Sequence, residues 1–156
     1  MSPGQGSTVR QAAELLRQAD WDVAYTCVPN RPYIGVVAIP VPSAGGRERY
    51  PDVVAGRGAA VALVEVEPRL SADVAREIAR RLGEQRAALQ VPDVYASWRR
   101  KVHQRTGVLL AADPQIELHL LVARPIAAED DELVGQLAGV GIAASDPAAF
   151  AVAVSG

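Results

Sequence analysis

The sequence predicts an α/β domain in which a central mixed β-sheet is flanked by helices. Three observations carry that prediction. Short apolar or alternating runs, punctuated by Gly and Pro, crowd the first seventy residues in the manner of hairpin strands. Beyond Ser71, helical spacing of apolar residues alternates with Leu- and Val-rich strand segments, the pattern that places helices over a sheet. At 156 residues, with 49% apolar and 22% charged side chains, the chain suits one hydrophobic core and not a disordered segment.

Residues 1–7 read as a flexible lead and residues 8–156 as a single domain. Ser7 or Thr8 caps a helix running to about Ala19, with Val9, Ala12, Leu16 and Ala19 on one face. Trp21 to Cys27 alternates as a strand. Asn30-Arg31-Pro32 makes a turn, and Tyr33 to Val41 reads as a second strand stopped by Pro40 and Pro42. A loop over Pro42 to Gly46 leads to a hairpin at Tyr50–Glu67. Ser71 is a good N-cap, and Val74, Ile78, Leu82 and Leu89 mark the buried stripe of a helix over about 72–90, ended by Pro92. Asp93 caps a further helix through Tyr95, Trp98 and Val102, with Gly107 as its stop. Gln115 to Ala123 is a strand, Ala127 to Ala138 a helix, Val140 to Ala144 a short strand, and Pro147 to Val154 a closing helix. The order is α-β-β-β-β-α-α-β-α-β-α.

The bulk properties exclude several classes. A net charge of -2 and a pI near 5.7 give no general affinity for nucleic acid, so any such binding needs a local basic face. Cys27 is the sole cysteine, which rules out an internal disulfide and a thiolate zinc site; its apolar setting makes it a buried, inert thiol. No apolar run is long enough for a membrane span, and the first residues lack a signal-peptide pattern, so a cytoplasmic location is expected. Lys101 is the only lysine among sixteen basic residues, which leaves few candidates for a catalytic amine.

The chemistry concentrates in the hairpin. Tyr50-Pro51-Asp52 opens one strand, and Val61-Ala62-Leu63-Val64-Glu65-Val66-Glu67 is an almost wholly apolar second strand ending in two carboxylates. Burying ionised side chains costs several kcal/mol unless a metal, a cation or hydrogen bonds compensate. Glu65 and Glu67 share one strand face, about 7 Å apart. A two-residue type II′ loop at Gly58-Ala59 would pair positions 57 and 60 and set Asp52 opposite Glu65. A three-residue loop over Gly56 to Gly58 would pair Asp52 with Ala62 and turn it to the other face. Under the first register the acids suit Mg²⁺ or Mn²⁺, hard ions held by one or two carboxylates. Otherwise they are sheet-edge acids paired with Arg47, Arg49, Arg57 or Arg69.

The Pro51-Asp52, the strand with Glu65-x-Glu67 and the helix from Ala72 resemble the PD-(D/E)xK nuclease superfamily, with its restriction endonuclease-like fold. The opening helix and Ala19-Asp20-Trp21-Asp22-Val23 are similar to that family's first helix and strand. The likeness covers about residues 8–123 and rests on short motifs. It implies metal-dependent hydrolysis of DNA or RNA phosphodiesters, with Asp52 and Glu65 as metal ligands and catalytic residues. Glu67 stands where the family usually has lysine; it would be a further ligand or would orient the attacking water. The alternative is a catalytically inactive module of that fold, serving nucleic-acid binding or protein assembly. Arg99, Arg100 and Lys101, beside Trp98, form the densest basic cluster and are the candidate nucleic-acid contacts, or simply a solvated helix face. Arg76 and Arg80 either extend that surface or pair with Glu77 and Glu84. Glu14 reads as solvent-exposed, paired with Arg10 or Gln18. His103 and His119 are isolated from ligand partners, and Glu129 to Glu132 suit a helix N-terminus. An apolar helix face could serve a homo-oligomer or larger complex, with nothing marking which one.

Overall fold

The computed structural model describes residues 3–28, 35–42 and 49–156. Helix α1 spans Pro3–Gln18. It thus begins before the expected cap at Ser7 or Thr8, and residues 3–7 belong to it. Pro3 suits a first turn, where its missing N–H has no partner to lose. Gly6 packs closely enough on Val28 that an added Cβ would stand 3.4 Å away. Val9, Ala12 and Leu16 are fully buried. The helix closes with Trp21 N–H bonded to Leu16 O and Asp20 N–H to Arg17 O, both at 3.0 Å, around Asp20 at φ 65°. This is the Schellman pattern, with a short polar side chain at the left-handed position that usually takes Gly.

Strand β1 (Asp22–Thr26) follows, with a bulge between Val23 and Tyr25. The expected strand over 33–41 does not form in its described part. Val36, Val37, Ile39 and Val41 are buried, yet residues 36–41 join no sheet ladder. Side chains take up the carbonyls there: Val37 O accepts from Tyr25 Oη at 2.8 Å, and Val36 O from Arg105 Nη1 at 2.8 Å. Pro40 and Pro42 have no N–H to offer a ladder. Tyr33 and the turn at 30–32 lie outside the described residues.

Strands β2 (Val53–Arg57) and β3 (Ala60–Glu67) form the hairpin, and Arg57 pairs with Ala60. Its loop is therefore Gly58-Ala59, with Gly58 at φ 57° and Ala59 at negative φ, as a type II′ turn requires. Helices α2 (Ala72–Leu89) and α3 (Pro92–Thr106) lead to β4 (Gln115–Val122). Ser71 Oγ caps α2 by accepting from Val74 N–H at 3.1 Å. Pro92 opens α3, so Asp93 stands in its first turn and is not its cap. A 3₁₀ turn at Ala128–Asp130 precedes α4 (Asp131–Gly139), then come β5 (Ile142–Ser145) and α5 (Pro147–Ser155). Strand β5 starts later than expected because Gly141, at φ 81°, completes the turn out of α4.

The sheet runs β1-β2-β3-β4-β5, antiparallel across the first three strands and parallel thereafter, a mixed sheet as expected. Val54, Val61, Leu63, Leu118 and Leu120 face α2, α3 and α4. Val53, Ala55, Val64 and Leu121 face α1 and α5, where Phe150 and Val154 seal the second core. Among the described residues no helix is long and apolar enough to cross a membrane.

Candidate functional site: a carboxylate hairpin and its arginine

The register Val53↔Val64 sets Asp52 and Glu65 opposite one another at the next step. By alternation Glu65 shares the face of Val61 and Leu63, below α2 and α3, while Asp52 sits in a bend just before β2. Both are buried, Asp52 to 3% and Glu65 to 0% relative exposure. Asp52 ties three strands together. Its Oδ2 accepts from Val66 N–H at 2.9 Å, extending the β2–β3 ladder by a side chain. Its carbonyl accepts from Cys27 N–H at 2.8 Å, just past the end of β1.

Glu65 Oε1 accepts from Arg81 Nη2 at 2.7 Å, a contact whose side chains are 0% and 6% exposed. Arg81 reaches it from the buried face of α2, which also carries Ile78, Leu82, Gln85 and Leu89. A buried carboxylate without compensation would be strongly destabilising, and Arg81 supplies a cation to Glu65 beneath the helix. Arg81 Nε is buried without a hydrogen-bond partner among the described residues. The guanidinium at Glu65 Oε1 comes from α2, and Arg47, one of the four arginines expected beside the acids, lies outside the described residues. Arg57 instead donates to Ala19 O and Val154 O at 2.9 and 2.8 Å. The signal for Arg81 was present in the sequence: it lies three residues after Ile78, within the apolar stripe of a helix that must face β3.

Glu67 is half-buried at the end of β3, on the same strand face as Glu65. Among the described residues no group of three or more His, Cys, Asp or Glu side chains stands close enough to hold a metal. Asp52 and Glu65 each already spend a carboxylate oxygen on a neighbour, Asp52 on Val66 N–H and Glu65 on Arg81.

The basic cluster stands elsewhere. Arg99 and Arg100 line a surface depression with Gln90, His103 and Ile116. Ile116 pairs with Val61, four residues before Glu65 on β3, or roughly 13 Å along the strand. Arg99 Nε donates to Leu110 O at 2.6 Å, and Lys101 is exposed. Trp98 points inward, 1% exposed. Arg80 pairs with Glu77 and Glu84, and Arg76 with Asp73. Glu14 is exposed and lies 4.0 Å from Arg17. His119 is buried against Phe150, with Nε2 3.1 Å from Glu117 Oε1. Burial raises the Tyr25 hydroxyl pKa well above its ordinary value and pushes that of Tyr95 up to about 12.

The chain matches no family model, no curated protein and no solved structure.

Proposed function

We propose that this is a restriction endonuclease-like protein of the PD-(D/E)xK type that hydrolyses DNA or RNA phosphodiester bonds with a divalent metal. The observation that supports the reading is the hairpin register, whose last pair, Val53↔Val64, stands one residue from Asp52 and Glu65. The elements behind the resemblance also occur in the required order in one sheet: opening helix, first strand, Pro-Asp, acid-x-acid strand, then helix. Asp52 and Glu65 would hold Mg²⁺ or Mn²⁺. Such an ion, when bound, stabilises charge on a phosphodiester and lowers the pKa of an attacking water. Arg81 adds what the strand lacks. Position 67 carries an acid in place of lysine, and α2 delivers a permanent cation to Glu65 from below. It would orient that carboxylate and offset the negative charge of the pair, and Glu67 would orient the attacking water.

The burial of the Glu65–Arg81 pair favours a second reading, a nuclease-fold module that binds nucleic acid or a protein partner without cutting it. A cation already neutralises Glu65 there, as in a purely structural ion pair. One experiment separates the two. Labelled DNA and RNA are incubated with Mg²⁺ or Mn²⁺ and wild type, Asp52→Ala or Glu65→Ala, with Mn²⁺ binding followed by calorimetry. Metal-dependent cleavage lost in both variants supports the first reading. Cleavage unchanged by both sinks it, and absence of both cleavage and Mn²⁺ binding leaves the second.

A further inference from the structure

We propose that the outer edge of β1 is the track along which a nucleic-acid backbone reaches the Asp52 end of the hairpin, its phosphates held by Arg17 and Arg105. The inference rests on the phosphodiester reading above and adds the substrate's path to it. A groove of about 330 Å³ follows Val23, Ala24, Tyr25 and Thr26 and is walled by those two arginines. Helix α1 covers one face of the sheet and α3 the other. Arg17, in the last turn of α1, and Arg105, in the last turn of α3, therefore straddle the terminal strand.

Among the described residues the groove lining contains no acid, in a chain whose net charge is -2. Arg17 is 56% exposed, and its contact with Glu14 is at 4.0 Å, an exposed pair that leaves the guanidinium available to an anion. Arg105 commits one nitrogen to Val36 O. The groove also leads somewhere. Thr26 pairs with Val53, and the next residue, Cys27, bonds to the carbonyl of Asp52 itself. The Arg99–Arg100 depression has no such continuity, since it opens at the start of β4. Phosphate contacts of this kind position a backbone without reading its sequence, so the track would accept any base order.

The test is fluorescence anisotropy of labelled single-stranded and duplex DNA with the full chain in EDTA, across a salt series. Arg17→Glu is expected to weaken binding about tenfold, and Arg17→Gln to reduce the slope of log K against log salt by about 1. Arg105→Gln should lower that slope similarly. Arg100→Glu, an identical charge change at the far end, should cost less than about threefold, as a loss of general attraction only. Thermal melts of each variant separate lost binding from lost folding, because Arg105 also holds Val36. The proposal is overturned if wild type binds neither strand form, if Arg17→Glu binds as wild type, or if Arg100→Glu costs as much as Arg17→Glu. Slopes unchanged in both glutamine variants, with lowered melting temperatures, would likewise reduce these arginines to helix-end cations. Binding in EDTA is read apart from cleavage. Arg17-dependent binding without metal-dependent cleavage would sink only the chemistry, and Asp52-dependent cleavage with Arg17-independent binding only the track.

Discussion

Arg81 and Glu65 meet as a buried charge pair, and that sets what substitution should do. Arg81→Leu removes the buried guanidinium from Glu65 and is expected to cost about 3–5 kcal/mol in urea denaturation. Replacing both partners by leucine should recover most of the loss, since two apolar side chains need no compensation. A double variant as unstable as the single one would show that Glu65 is not held by Arg81. If the carboxylates bind metal, Mn²⁺ at a hundredfold excess over its Kd should raise wild-type stability by about 2.7 kcal/mol, and Asp52→Ala should abolish the gain. The buried tyrosines set a separate limit at high pH. Their hydroxyl pKa values are raised in the fold, for Tyr95 to about 12, against 10.0 unperturbed. Below pH 10 both states keep these protons and the full stability is present. As pH rises above 10 the unfolded chain ionises while the folded one does not, so stability falls, for Tyr95 until about pH 12. Each tyrosine contributes at most about 1.4 kcal/mol per pH unit, and Tyr25→Phe should flatten the decline measured by urea titration between pH 9 and 11. An unchanged slope would show that Tyr25 does not remain protonated in the fold over that window.

Among the elements, the hairpin sets the site because its two-residue loop determines which face every later side chain occupies. Gly58 is the hinge of that choice: at φ 57° it has open space around it, so the cost of a side chain there is purely conformational. Gly58→Ala is expected to lose about 1–2 kcal/mol in thermal melts, and Gly58→Asn less, because Asn tolerates the left-handed region. Equal losses would point to packing as the cause. The sequence carried this register as one of two, since Gly56 and Gly58 both permit a turn, and only strand pairing separates them. The α2 stripe was legible from its 3.6-residue period, but Arg81 and Gln85 within it were not recognised because charge and amide usually mark the solvated face. Val36 to Val41 misled for a related reason. Apolar alternation reports burial, and here side chains and not a neighbouring strand take the carbonyls. What the sequence does not contain is which distant groups will meet. That includes Arg57, whose guanidinium stacks on Trp21 at 4.8 Å and joins the ends of α1, β2 and α5.

At the scale of the whole molecule, one sheet separates two cores that share no cluster of buried side chains. Ile78 belongs to the core under α2, and Val154 to the core under α1 and α5. The strands make the two faces interdependent, because Leu63 and Val64 are successive residues of β3 that serve opposite cores. Both cores rest on β3, so the molecule is expected to unfold in one transition despite its two layers. Ile78→Val is expected to cost about 1 kcal/mol. Val154→Ala removes about two methylene equivalents, or about 1.6 kcal/mol before any cavity term. Lying on opposite faces without shared partners, the two should add within about 0.5 kcal/mol in the double variant, with the denaturant slope unchanged. Far-UV and near-UV circular dichroism should trace the same curve in all three variants. A near-UV curve that departs from the far-UV one in Val154→Ala alone would show the α1–α5 layer opening first. The groove at the β1 edge, which α1 helps to wall, would then be a feature of only part of the folded ensemble.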